Sequence, residues 1–126
     1  MPAKIQGQYV HVFAYCVPRK DHKQMLKVMT NLSSIYASHG CQKTDLYVWG
    51  ETSIFQGFAG LHQKLGATPN DELWLEVDSY SSERDLRKVV ESVGKDRKAR
   101  PLWGELTEMV GPGRSIAMGE FERMVP

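Results

Sequence analysis

Three side chains in this sequence have the types and spacing for proton transfer. His11 lies in the apolar run 8–17 (QYVHVFAYCV), and Glu76 and Asp78 stand two apart in 72–80 (ELWLEVDSY). If both runs are extended, alternate side chains share a face, so Glu76 and Asp78 point the same way. Carboxyl groups in a partly desolvated aromatic setting have raised pKa values, and a histidine beside them acts as base or acid near neutral pH. The expected catalytic constellation is His11 as base or acid, oriented by Glu76 or Asp78. The competing expectation is a hydrogen-bonded interface histidine, with the two acids solvated at the rim of a sheet.

Other chemistries have weaker support. His11, Glu76 and Asp78 could supply a facial metal set, but the chain has no HxH or HExxH, and His22, His39 and His62 fall in helices or in an insertion. No metal site and no cofactor are expected. The nucleophile elbow GxSxG, the phosphate loop GxxxxGK and the dinucleotide fingerprint GxGxxG are all missing, which argues against ordinary serine hydrolases, nucleotide-binding enzymes and nicotinamide dehydrogenases. The triplet His39-Gly40-Cys41 resembles a nucleophile with its base. However, His39 continues the stripe of a helix that Gly40 terminates, so the triplet reads as a helix stop.

The elements that must position these groups follow from periodicity. Run 8–17 is a strand with Val10, Val12, Ala14 and Cys16 on one side and Tyr9, His11, Phe13 and Tyr15 on the other, so both faces need cover. Pro18 ends it, and Asp21 with Gln24 has the spacing of a capping box. Met25, Val28, Met29, Leu32, Ile35 and Tyr36 then recur at three and four, the stripe of an amphipathic helix. Residues 42–51 read as a second strand, with Leu46 and Val48 opposed to Asp45, Tyr47 and Trp49. Residues 52–68 (TSIFQGFAGLHQKLGAT) predict a short or irregular helical insertion weakened by Gly57 and Gly60. Residues 72–80 give a third strand, with Leu73, Leu75 and Val77 opposed to Trp74, Glu76, Asp78 and Tyr80. Ser82 with Asp85 opens a helix carrying Leu86, Val89, Val90 and Val93. Pro101 starts another with Leu102, Trp103, Leu106, Met109 and Val110. The turn Gly111-Pro112-Gly113 leads into a last strand over 115–125.

That order is the α+β, ferredoxin-like split βαβ arrangement (β-α-β-β-α-β), an antiparallel sheet with its helices on one face. If the aliphatic sets face the helices, the aromatic ones gather on the open face together with His11, Asp45, Glu76, Asp78 and Glu120. An open face of that size is an association surface, and a homodimer with two sheets closed over each other is the simplest cover. Tyr15, Tyr47, Trp49 and Trp74 would then hold a small aromatic or hydrophobic ligand, unless they serve only as interface packing.

Composition agrees with an ordinary globular protein. The chain has 126 residues, 41% hydrophobic and 25% charged, a size that suits one domain over 1–126. Lys and Arg number 16 against 15 Asp and Glu, so no global field attracts nucleic acid or a membrane surface. The basic stretch 95–100 (KDRKAR) fits a solvated helix end. No run has the length and apolarity of a membrane span or leader, and a cytoplasmic protein is expected. Cys16 and Cys41 show no metal spacing and fit buried, reduced thiols.

The chain resembles the dimeric α/β barrel superfamily, small ferredoxin-like proteins whose sheets pair face to face, and within it an uncharacterised microbial family. The marks are "YVHVFAYCVPRKD", the "HG" helix end, "TSIFQGF", "SYSSERDLRKVVESV" and "GRSIAMGEFERMV". They span nearly the whole chain, and none is a catalytic signature. The insertion departs from the family pattern at Ile54-Phe55-Gln56, where relatives carry a proline after the phenylalanine, and in the added stretch Leu61 to Leu65. The resemblance implies fold and dimer first. The superfamily includes cofactor-independent monooxygenases, small isomerases and lyases, and haem-handling enzymes, so membership alone selects no reaction. With the aromatic walls these residues offer, the expectation is a small cofactor-independent enzyme of the monooxygenase or isomerase kind acting on an aromatic or quinoid molecule in a cavity at the dimer interface. The alternative is a non-catalytic homodimeric module that binds a small ligand or only packs.

Overall fold

The computed structural model describes residues 5–50, 53–111 and 116–124. Its elements run β1 (Tyr9–Pro18), a 3-10 turn (Arg19–Asp21), α1 (His22–Ser38), β2 (Lys43–Val48), α2 (Leu61–Lys64), β3 (Asp71–Tyr80), α3 (Glu83–Gly94), α4 (Ala99–Val110) and β4 (Ala117–Glu122). The four strands form one antiparallel sheet in the order β2-β3-β1-β4. This is the ferredoxin-like topology, with α1, α3 and α4 on one face.

Local chemistry explains most boundaries. Gly40, at φ +116°, takes the left-handed turn that ends α1, and Cys41 N–H returns to Tyr36 O at 3.0 Å. Ser82 Oγ accepts from Asp85 N–H at 3.1 Å and caps α3. Asp21 does occupy the N-cap of α1, but its side chain makes no capping bond, because the preceding 3-10 turn already directs the chain into the helix. α4 starts at Ala99, two residues before Pro101, which sits in the first turn where its missing N–H leaves no bond unmade. Of the expected turn at 111–113, Pro112 and Gly113 lie outside the described residues, as do Ser115 and Val125 at the ends of the expected last strand, Glu51 of the second, and Thr52 of the insertion.

The core lies between the sheet and the three long helices. Tyr15, Val17, Trp74 and Tyr80 from the strands pack with Met25, Val28 and Leu32 of α1, Leu86, Val89 and Val93 of α3, and Leu106 and Val110 of α4. This reverses the expected assignment of faces on β1 and β3. The aromatic and acidic set of β1 and β3 lies under the helices, while Val10, Val12, Ala14, Leu75 and Val77 form the open face. Alternation fixes which residues share a face and is silent on which face is covered. The larger aromatic side chains bury more area, and the helix layer is where that area can be removed from water.

The insertion is irregular except for the single turn α2, and it folds over one end of the open face. Cys16 Sγ donates to Leu65 O at 3.7 Å, and the Trp49 and His62 rings stack at 4.7 Å between centroids. Cys16 and Leu73, which parity places on the open face, are buried there. Among the described residues no helix is long and apolar enough to cross a membrane.

Candidate functional site

Glu76 and Asp78 stand on the helix-facing side of central strand β3, and both are buried, Asp78 to 2% exposure. Tyr15, from neighbouring β1, donates its phenolic O–H to Glu76 Oε1 at 3.2 Å, a diagonal cross-strand contact. Burial, then the charge of Asp78 and hydrogen bonding to it, push the Glu76 carboxyl up to about 9, with the Tyr15 bond acting against them. Burial also raises Asp78, although Glu76, Thr44 and His11 each favour its charged form. Two carboxyls in one dry site cannot both ionise cheaply. At neutral pH the two therefore hold a proton between them.

His11 is the direct cross-strand partner of Asp78 on one side and of Glu120 on the other. Burial depresses its pKa, although Glu120 and Asp78 pull it the other way, so the ring is neutral near pH 7. Its Nε2 and Asp78 Oδ1 are buried without a hydrogen-bond partner among the described residues. The ring lies 4.2 Å from that of Phe13, centroid to centroid. Glu120 is engaged elsewhere, taking two bonds from the Arg87 guanidinium at 2.7 and 2.9 Å and one from Tyr9 O–H at 2.9 Å.

A small cavity lies over the two acids. Glu76, Asp78 and Thr44 form its floor, Met29, Leu32, Ser33 and Tyr36 of α1 one wall, and Trp103 of α4 the other. Tyr36 and Trp103 meet edge to face, centroids 6.3 Å apart. The enclosed space is about 10 Å³, the scale of one water molecule. His11 is beside this cavity without lining it. Among the described residues no three His, Cys, Asp or Glu side chains converge in a metal-holding group, so His11, Glu76 and Asp78 do not form a facial set.

The four expected ligand-binding aromatics are divided between the two faces. Tyr15 and Trp74 are buried on the helix side, ring centroids 6.4 Å apart. Tyr47 and Trp49 are on the open side, because Leu46 is the residue that pairs with Glu76 across β2 and β3. Because β1 and β3 are turned over while β2 keeps the faces expected of it, Tyr47 and Trp49 part from Tyr15 and Trp74. Asp45 goes with them and lies 3.4 Å from Lys43 Nζ. Tyr47 and Trp49 line an apolar cavity of about 210 Å³ with Ala14, Leu61, Leu65 and Leu75.

No local pattern marks Tyr36, Thr44 and Trp103 as site residues. Tyr36 and Trp103 belong to apolar helix stripes, and a stripe aromatic with a polar atom looks like any other core residue until its neighbours are known. His39 bonds Asp96 Oδ2 through Nε2 at 2.8 Å, and Cys41 is buried. That pair sits at the helix end, with His39 turned to Asp96 and the Cys41 thiol donating to Ser79 O at 3.6 Å, its pKa raised by burial and by the charge of Asp78.

No protein-family model matches the chain, and no curated protein matches it. Solved structures do. The chain is similar to SnoaB, a cofactor-independent oxygenase from Streptomyces nogalater, at 8% identity and a TM-score of 0.56, over 94% of this chain and 96% of that one. It is similar to a dimeric ferredoxin-like protein of unknown function from Thermobifida fusca, at 11% identity and a TM-score of 0.53, over 93% and 92%. A second dimeric ferredoxin-like protein of unknown function, from Jannaschia, aligns at 9% identity and a TM-score of 0.56, over 91% and 99%. At these identities the likeness shows a common fold.

Proposed function

We propose that this protein is a small cofactor-independent enzyme that moves protons on an aromatic or quinoid molecule, with Glu76 and Asp78 as its acid and base. One observation carries this: two buried carboxyl groups and a buried histidine whose polar atoms the fold leaves partly unpaired, beside a cavity. Burying such groups costs several kcal/mol, about 1–3 for each unmet hydrogen bond alone. Sites that tolerate this cost are disproportionately functional. Asp78 takes a proton from an activated C–H or phenolic O–H, Glu76 returns one, and neutral His11 behind Asp78 steadies the charge that moves. Tyr15 acts as a positioning residue through its bond to Glu76. Tyr36 and Trp103 form the wall that a ring must displace, since the closed cavity admits only a water.

An isomerase needs no more than these two transfers. In a monooxygenase the same proton removal leaves an electron-rich ring that reduces O2: one oxygen becomes a carbonyl on carbon, and the other leaves as water with the two hydrogens the substrate lost. SnoaB, of like fold, is a cofactor-independent oxygenase, which supports carrying this branch forward.

The open face of Val10, Val12, Ala14, Leu75 and Val77, with half-exposed Tyr47 and Phe121 at its margins, supports a homodimer closed sheet to sheet, as do the two similar proteins described as dimeric. Cys16 and Cys41, both buried and neither in a disulfide among the described residues, fit work in the reducing cytoplasm. The catalytic groups lie inside each subunit on this account, under the helices and away from the dimer seam.

The test is a panel of hydroquinones, naphthols and anthrone-type ketones in deuterated buffer, followed for deuterium uptake and oxygen consumption. Wild type is expected to turn over at least one class, and Asp78→Asn to lose that activity by about 100-fold or more while the dimer persists. Binding of a panel member by wild type with neither exchange nor oxygen uptake would favour the non-catalytic module.

A further inference from the structure

A third cavity, larger than the two already described, opens at the sheet end where β1 leaves, β3 enters and the insertion folds back. It has a volume of about 360 Å³, and Arg19, Trp49, His62, Thr68, Glu72 and Leu73 line it. Its size falls in the range of small-ligand sites, and its wall is an aromatic plate with a few polar groups.

The charged groups narrow the ligand. Arg19 Nε donates to Pro69 O at 2.9 Å, which anchors the guanidinium, and its two Nη groups have no hydrogen bond or ion pair among the described residues. Glu72 Oε1 accepts from Trp74 Nε1 at 3.2 Å and lies 2.7 Å from His22 Nδ1, leaving Oε2 without a partner among the described residues. Burial works to raise the Glu72 carboxyl, but the bonds from His22 and Trp74 and the charges of His22 and Arg19 outweigh it and hold it below the usual carboxylate range. Arg19 and Glu72 therefore feel each other across the cavity and yet form no ion pair. Asp71, which also lines the cavity, has its Oδ2 committed to Thr68, accepting from N–H and Oγ–H at 2.9 Å each.

We propose that this cavity binds a free α-amino acid with an apolar or aromatic side chain. Its carboxylate lies along the open edge of the Arg19 guanidinium, its ammonium reaches Glu72, and its side chain rests on Trp49 and Leu73. A purely anionic ligand would meet Glu72, and a purely cationic one would meet Arg19. A zwitterion of short span answers both, and the bidentate edge of arginine suits a carboxylate. Trp49 is held as a plate by His62 on one side, and His62 is itself packed so closely on Gly60 that a Cβ there would come within 2.7 Å of its ring.

The experiment is calorimetric titration of the whole protein with L-phenylalanine, L-leucine, 3-phenylpropionate and 2-phenylethylamine, with the Trp49 indole N–H followed by NMR. At least one amino acid is expected to bind about tenfold or more tightly than either singly charged analogue and to shift Trp49 while Trp103 stays put. Arg19→Gln, a change at an exposed side chain, is expected to remove the advantage over 2-phenylethylamine. Glu72→Gln should remove the advantage over 3-phenylpropionate. Absence of saturable binding by both amino acids up to roughly 10 mM, equal binding of the charged analogues, or an unaffected Arg19→Gln protein would overturn the proposal.

Discussion

Tyr15 reaches diagonally from β1 to β3 and donates its hydroxyl to Glu76 Oε1 at 3.2 Å, with both groups out of solvent. This bond favours the charged carboxylate and opposes the burial that favours the neutral acid. Tyr15→Phe is therefore expected to push the Glu76 pKa higher still and to cost about 1 kcal/mol of stability. Carboxyl 13C NMR and urea unfolding check the two effects, and an unmoved Glu76 titration would deny the contact any electrostatic role.

Stability should fall as pH rises through the neutral range because of the acid pair. A carboxyl whose folded pKa exceeds its unfolded one binds more protons folded than unfolded between the two values. For Glu76 that window runs from the ordinary 4.5 to about 9, with a slope of at most about 1.4 kcal/mol per pH unit. Urea unfolding at several pH values should show Glu76→Gln with a flatter profile than wild type across this window. Parallel profiles would place Glu76 in an ordinary environment.

His11 acts in the opposite direction. Its folded pKa lies below the ordinary 6.5, so below that pH the unfolded chain takes the proton first and stability is lost as pH falls. His11→Phe is expected to remove this acid-side loss and to relieve a buried nitrogen without a partner, gaining about 1 kcal/mol or more relative to wild type at pH 5. Thermal melts at pH 5 and 7 suffice to measure it, and an equal effect at both would exclude a titration.

The element order and the sheet type were legible in the sequence, since alternation on β1 and β3 and the stripes of α1 and α3 are strong signals. Alternation left His11 with Glu76 or Asp78, and the register is what selects Asp78. The covered face was not, because period-two alternation is the same seen from either side. On β2 the expected faces hold: Leu46 and Val48 pair with Glu76 and Trp74 on the helix side and Tyr47 lies on the open side, so alternation there led to the observed arrangement while on β1 and β3 it did not. The cavity wall of Tyr36 and Trp103 needed the packing of α1 against α4, which no local pattern encodes.

The open aliphatic face should carry the dimer. Val12→Asp puts a charge at its centre, and light scattering should then report a mass near 14.3 kDa, against about twice that for wild type. The helix-side core is untouched, so circular dichroism should be unchanged. A monomeric wild type would remove the sheet-to-sheet dimer from the account.

The protonation state of Glu76 decides most directly whether the buried pair can serve as acid and base. With 13C-labelled glutamate, and Glu76→Gln to identify the resonance, Glu76 should appear as the neutral acid at pH 7 and titrate with a midpoint near 9. A midpoint in the ordinary carboxylate range, around 4 to 5, would contradict the proton-transfer site.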